Sequence, residues 1–460
     1  MVGTRPRLRT PNVRTASPVV PPVDLPVEDI QIEKLVYGGD GLGRLASGEV
    51  VFTPWSAPGD RLKVTPKTGR PLRGSLEEIL EPSLQRVVPR CDVFMQCGGC
   101  QWQHLNGESQ RDWKRRIVEE SLQRLGKLEN VTVLPTIGDD ASAWAYRNRA
   151  QWDVDSQDSG APRLGYHAHH SRDIVEFDHC HIIPDELNNL ALQIRRTLQD
   201  NPGLAQGLKR IEVLSNEYDQ CLLILESLNL RASQALAQAL IASLPQVVGI
   251  ASRHPEQSNA LLTGLTGQTH LFETLEGKKY RISADSFFQT NPHGARQLLQ
   301  VLSNMFPAPA QSLLDIYAGV GVFALHFSTQ VQRVLAIESA PSAVLDAQEN
   351  LRLNAVQNVT IRKGEAQRVL STLKDRFDVA IVDPPRGGCT PEVLDWLSRH
   401  VQQNILYVSC NPTTLARDLK LLVAAGWTVE LVQPIDMFPQ TYHVECVVKL
   451  RHSSISLGKD

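Results

Sequence analysis

Residues 312–323 read SLLDIYAGVGVF. An apolar run ends at Ile316, and Gly319 and Gly321 follow at a spacing that allows a tight turn and close backbone approach to a ligand. The rhythm repeats downstream in RVLAIE (333–338), NVTIRKG (358–364), FDVAIVDPP (377–385) and NILYVSCNP (404–412), each separated from the next by a helical span. Strands alternating with helices from residue 309 onward predict an α/β fold, a doubly wound parallel sheet. Two late strands, WTVELVQPIDMF (427–438) and HVECVVKLR (443–451), have no helix between them, so one is expected to run antiparallel.

Working back from that sheet, residues 23–82 alternate apolar and polar positions between Gly-Gly, Asp-Gly, Ser-Gly and Pro-Gly turns. Such punctuation predicts a small, OB-like antiparallel β-barrel, an architecture that often binds oligonucleotides. Residues 83–308 mix helical and strand periods and are assigned to an α+β central domain. The first 22 residues carry four arginines and five prolines without an apolar core, so they read as a disordered basic arm.

Composition narrows the classes further. The 42% apolar and 21% charged content is that of a soluble globular protein. No apolar stretch reaches the roughly 20 residues a bilayer span needs. A cytoplasmic protein without membrane partners is therefore expected. The net charge of −3 conceals basic patches: Arg5, Arg7, Arg9 and Arg14 precede the first acidic residue, and Arg61, Lys63, Lys67, Arg70 and Arg73 lie in a run free of carboxylates. Patches of this kind bind phosphates even in an acidic chain.

The strand ends carry the chemistry, because ligands of open parallel sheets lie at the carboxyl ends of the strands. Glu338 closes the second strand, nineteen residues after Gly319, where it can accept hydrogen bonds from ribose hydroxyls. Asp383 closes the fourth, and the two prolines after it fix the backbone that presents its carboxylate. The absence of a third glycine and the DPPR segment (383–386) favour S-adenosylmethionine over a nicotinamide cofactor. Cys410 ends the fifth strand, and Asn-Pro stops that strand at once. A buried cysteine is usually a small core residue. At this position a thiolate also suits a pyrimidine, whose carbon 5 becomes nucleophilic once sulfur adds to carbon 6. Glu445, at the start of the last strand, can then remove the carbon-5 proton.

Eight cysteines do not form a disulfide scaffold in a chain this long. Cys91, Cys97 and Cys100 cluster, which points to metal ligation. Spacing alone leaves zinc and a [4Fe–4S] cluster equal, since both accept four thiolates and His179 and His181 flank Cys180.

Five ordered segments, FFQTNP (287–292), DIYAGVG (315–321), VDPPRGG (382–388), VSCNP (408–412) and FPQTYHVE (438–445), resemble the signatures of the RNA (uracil-5-)-methyltransferase family, class I S-adenosylmethionine-dependent enzymes. The similarity covers all but the first 22 residues, and residues 23–82 look like a TRAM domain. The resemblance implies Cys410 as nucleophile, Glu445 as base, and Gln289, Tyr317, Glu338 and Asp383 as cofactor contacts. Ala318 and Val322 depart from residues common in the family, which puts carry-over at that loop in doubt. The cysteines resemble the iron–sulfur site of the ribosomal branch, with Cys180 as fourth ligand to a [4Fe–4S] cluster. A large-subunit (23S) ribosomal RNA substrate follows from that branch, giving 5-methyluridine with neither DNA nor a second subunit as partner. Transfer RNA, an exocyclic amino-methyltransferase and a non-catalytic RNA-binding protein are the competing readings, and the last two have no use for Cys410.

Overall fold

The computed structural model describes residues 26–156, 161–256 and 262–452. The arm assigned to residues 1–22 lies outside the described residues. Strands Glu28–Leu35, Gly41–Arg44, Val50–Thr53, Arg61–Lys67 and Arg73–Glu81 form a closed barrel. Their alternate residues Ile30, Ile32, Val51, Leu62 and Val64 fill its interior. The basic run looks different once folded. Arg61 pairs with Glu81 and Asp29, Lys63 with Glu78, and Arg73 with Asp40, all carboxylates from other strands or turns. Lys67 and Arg70 have no carboxylate partner among the described residues. Linear sequence hid these neighbours because they become adjacent only through strand pairing.

The central region holds a seven-stranded sheet in the order Thr263–Gly267, Val247–Arg253, Cys221–Ser227, Leu208–Ser215, Arg149–Asp155, Arg163–His167, Ile174–Val175. Helices Asp185–Asp200 and Leu230–Ser243 bury Leu187, Leu190, Ile194, Leu236 and Leu240 in one core with Trp152, Ile211 and Leu223 of the sheet. A hairpin, His270–Leu275 with Lys278–Ser283, leads on to a second seven-stranded sheet.

That sheet comprises β1 (Ser312–Ile316), β2 (Arg333–Glu338), β3 (Val359–Lys363), β4 (Phe377–Val382), β5 (Val401–Ser409), β6 (Trp427–Ile435) and β7 (Glu445–His452), in the order 3-2-1-4-5-7-6. Strands β1 to β5 pair in parallel, and β7 lies antiparallel between β5 and β6. The strands are apolar on both faces because both are covered. Leu313, Val379, Ile381 and Leu406 face helix Pro292–Met305, whereas Leu314, Ala380, Ile405 and Tyr407 face helices Pro391–His400 and Pro412–Ala424.

Packing around the sheet draws on residues well before 309. Helix Gly107–Ser121 inserts Val118 into the second of those cores. Residues 132–137 run along the outer edge of β6, where Leu134 donates to Val432 at 2.9 Å and Ile137 to Pro434 at 3.0 Å. An otherwise open strand edge is thereby covered.

The barrel is tied to the chain that follows it by Asp60, whose side chain is fully buried. Its carboxylate accepts from the amides of Ala57 and Ser83 and from both Nε and Nη2 of Arg86. Removing one partner of a buried pair leaves the other charge uncompensated. Asp60→Ala is therefore expected to destabilise the barrel by about 3 kcal/mol in chemical denaturation. A loss below about 1 kcal/mol, the scale of a surface pair, would show that the network is not needed.

Candidate active site

The turn after β1 is the first part of the site. Tyr317 and Gly319 have positive φ, +67° and +54°, and Gly321 at +86° starts helix Val322–Phe327. A Cβ added at Gly319 would meet nothing within 4 Å, so its backbone faces open space. The amide of Gly319 donates to Glu338 Oε2 at 2.9 Å, and the other oxygen accepts from the amides of Ser339 and Ala340. Glu338 is thus held rigidly at the end of β2. Gln289, Tyr317, Gly319 and Asp383 line one pocket together with the exposed ring of Phe287. Four sequence candidates are brought to one place, three in the pocket wall and Glu338 one hydrogen bond behind it.

The second part lies at the ends of β4, β5 and β7. Register explains it: Val382 pairs with Tyr407, and Ser409 pairs with Cys446, so the next residues outward are Asp383, Cys410 and Glu445. Because β7 runs antiparallel, its first residue reaches the edge where its neighbours end. Asn411 caps helix Pro412–Ala424 by accepting from the Thr413 amide at 3.0 Å. Its Nδ2 and the hydroxyl of Thr414 also donate to the Arg386 carbonyl. The DPPR turn is thereby pinned to the segment that follows Cys410.

Electrostatics mark this group as unusual. Burial pushes the Cys410 thiol up to about 11, Glu445 and Asp383 add to the rise, and Arg386 opposes it. Burial and then the charge of Asp383 hold Glu445 well above the usual carboxylate range, again against Arg386. Asp383 is raised by burial to about 7. Asp315, fully buried behind them, is raised to about 8 by burial first, then by Asp383 and Glu338. Acids and thiols displaced in this way cluster where chemistry is done.

Cys91, Cys97, Cys100 and Cys180 line a separate cavity of about 230 Å³ with Tyr166, His179 and His181. All eight cysteines are free thiols. The Gly99 amide donates to Cys97 Sγ at 3.4 Å. Among the described residues, no three His, Cys, Asp or Glu side chains come close enough to enclose a single metal ion.

Sequence reading missed the supports of this site. Lys114 is fully buried, pairs with Asp436 and donates to the Phe438 carbonyl at 3.0 Å. Tyr37, in the barrel's first hairpin, packs edge-on against Tyr442 with ring centroids 5.4 Å apart. The signal for Lys114 is weak, since a lysine in the charged run QRDWKRR (110–116) looks solvated.

Comparison with known proteins agrees with this geometry. The model of the tRNA (Uracil-5-)-methyltransferase family matches residues 138–453. An uncharacterized RNA methyltransferase of Nostoc sp. is 35% identical over 457 residues, covering 94% of this chain and 97% of that protein. One from Synechocystis sp. is 36% identical over 445 residues, covering 92% and 96%. Among solved structures, the tRNA (uracil-54, C5)-methyltransferase of Pyrococcus abyssi in complex with S-adenosyl-L-homocysteine superposes with a TM-score of 0.70 at 25% identity, covering 92% of this chain and 99% of that one. With this fold, this pocket and these relatives, the chain belongs to the tRNA (uracil-5-)-methyltransferase family and is an S-adenosylmethionine-dependent RNA methyltransferase.

Proposed function

We propose that the protein methylates carbon 5 of a uridine in RNA through a covalent adduct on Cys410. The observation that carries this reading is the meeting of Cys410, Glu445 and Asp383 at three adjoining strand ends beside the Gly319 turn. S-adenosylmethionine, when bound, supplies an electrophilic methyl group. Its ribose hydroxyls would be held by Glu338, and Gln289, Tyr317 and Asp383 would line its pocket. These residues fit it: the Gly319 backbone faces open space and the carboxylate of Glu338 is oriented by three amides.

Cys410 sulfur adds to carbon 6 of the uracil, and the electron pair of the 5,6 double bond moves to carbon 5 and oxygen 4. Carbon 5 then takes the methyl group. Glu445 accepts the proton that remains on carbon 5, the double bond re-forms, and the sulfur leaves as thiolate. Burial raises the Cys410 thiol to about 11, so its proton leaves to solvent as the sulfur adds to carbon 6.

Cys410→Ala is expected to abolish methylation while leaving S-adenosylmethionine binding intact. Turnover within about tenfold of wild type, 1.4 kcal/mol of barrier, would overturn the nucleophile assignment. Glu445→Gln is expected to transfer the methyl group and then stall, so that an RNA–protein species stable on denaturing gels accumulates.

We also propose that Cys91, Cys97, Cys100 and Cys180 hold a [4Fe–4S] cluster. Support comes from four thiols lining one cavity and from the resemblance of these cysteines to the iron–sulfur site of the ribosomal branch. Anaerobically purified protein is expected to be brown with broad visible absorption, and a colourless protein with stoichiometric zinc would refute the cluster.

Two RNA classes are consistent with this chemistry. The barrel and the cysteine set favour large-subunit (23S) ribosomal RNA, by resemblance to that branch. Transfer RNA is favoured by the Pyrococcus abyssi enzyme, which is a tRNA (uracil-54, C5)-methyltransferase and covers 92% of this chain. Mapping 5-methyluridine in both RNAs from a deletion strain separates them. Loss from the 23S RNA alone is the expected result, and loss from transfer RNA alone would overturn it.

A further inference from the structure

The loop leading into Glu445 is held by side chains from elsewhere in the chain, and its tightest point is Gln440. Gln440 is buried at 4% exposure and has φ of +69°. A side chain other than glycine rarely adopts that region, and it persists only where the surroundings over-determine it. Here they do. Its amide donates to Gln110 Oε1 at 2.9 Å, and its own Oε1 accepts from Gln110 Nε2 at 3.0 Å. Its carbonyl accepts from the amides of Gln101 at 3.1 Å and Trp102 at 2.9 Å, the two residues directly after Cys100. Gln110, 2% exposed, is itself held by the carbonyls of Trp102 and Leu105.

Glu445 is the terminal residue of β7, paired with Ile435 at the end of β6. Terminal residues of an element fray most readily, so the aim of its carboxylate depends on the loop that delivers it. Lys114 on Asp436 and the Phe438 carbonyl, and Tyr146 on the Pro439 carbonyl, clamp the near side of that loop. The Gln110–Gln440 pair clamps its centre. Among the described residues, neither Gln110 nor Gln440 hydrogen-bonds to Asp383, Cys410 or the Gly319 turn, where attack and methyl transfer would take place.

We propose that Gln110 and Gln440 are positioning residues for the base, and that through them the segment bearing Cys91, Cys97 and Cys100 sets the step in which the adduct resolves. This inference rests on the covalent-adduct reading. It assigns the cysteine region a specific effect on proton removal, beyond support of the fold.

The test compares two RNAs with the full-length protein. On an RNA bearing 5-fluorouridine, carbon 5 has no removable proton, so the rate of adduct formation reports attack and methyl transfer alone. On uridine RNA, turnover also requires Glu445. For Gln110→Leu, turnover on uridine is expected to fall roughly tenfold or more, within the scale of an ångström-level misplacement. Adduct formation on 5-fluorouridine RNA should stay within about twofold of wild type, well under the tenfold that 1.4 kcal/mol of barrier produces. A denaturation-stable adduct on uridine RNA should accumulate. Gln440→Gly, which keeps the carbonyl and tolerates positive φ, should show the same split if Gln110→Leu fails to fold. Equal losses on both RNAs, or unchanged turnover in either folded variant, would overturn the positioning role. Absence of any adduct from the wild-type protein on 5-fluorouridine RNA would instead overturn the covalent reading and this inference with it.

Discussion

The site depends on one strand being inserted backwards. In a purely parallel sheet every strand delivers its last residue to the ligand edge. Here β7 enters antiparallel between β5 and β6 and delivers its first residue, Glu445, beside the last residues of β4 and β5. Cys410 and Glu445 therefore come from neighbouring strands without any loop having to fold back over the sheet. The ladder that pairs Ser409 with Cys446 sets the register that brings Cys410 and Glu445 to one edge.

That economy crowds acidic groups into a poorly solvated place. Asp315, Asp383 and Glu445 all have raised proton affinities, and each carboxylate makes ionisation of its neighbours harder. Arg386 is the cation that opposes this at both Cys410 and Glu445. Its backbone is held by Asn411 and Thr414, at the start of the helix that follows Cys410, so countercharge and thiol are tied to one segment.

Much of this was legible in the sequence, for a physical reason. Parallel strands buried on both faces read as continuous apolar runs, and the residues after them must be turn-formers or ligands, so DIYAGVG, VDPPRGG and VSCNP stand out. The α/β class, the antiparallel late strand and Asp383 were visible in this way, whereas Gln289 and Tyr317 came from the family resemblance. Contacts between distant segments were not. The carboxylates that neutralise Arg61, Lys63 and Arg73 reach them across strands or from turns, and Lys114 is buried although its neighbours are charged. Gln110 and Gln440 lie 330 positions apart, and no periodicity reports on such a pair.

The segment 132–137 that covers the edge of β6 has a consequence for how the chain reaches its native state. Its partner strand, Trp427–Ile435, emerges from the ribosome some 290 residues later, after the barrel and the central sheet have been made. Contacts of such long range slow folding, because loop closure must precede any gain from pairing. Until β6 appears, this N-terminal segment has no ladder to join, and any version of the catalytic sheet made without it would display a bare hydrogen-bonding edge. The architecture therefore ties completion of the enzyme to the last part of the chain, and a catalytic domain excised at residue 309 would be prone to edge-to-edge aggregation.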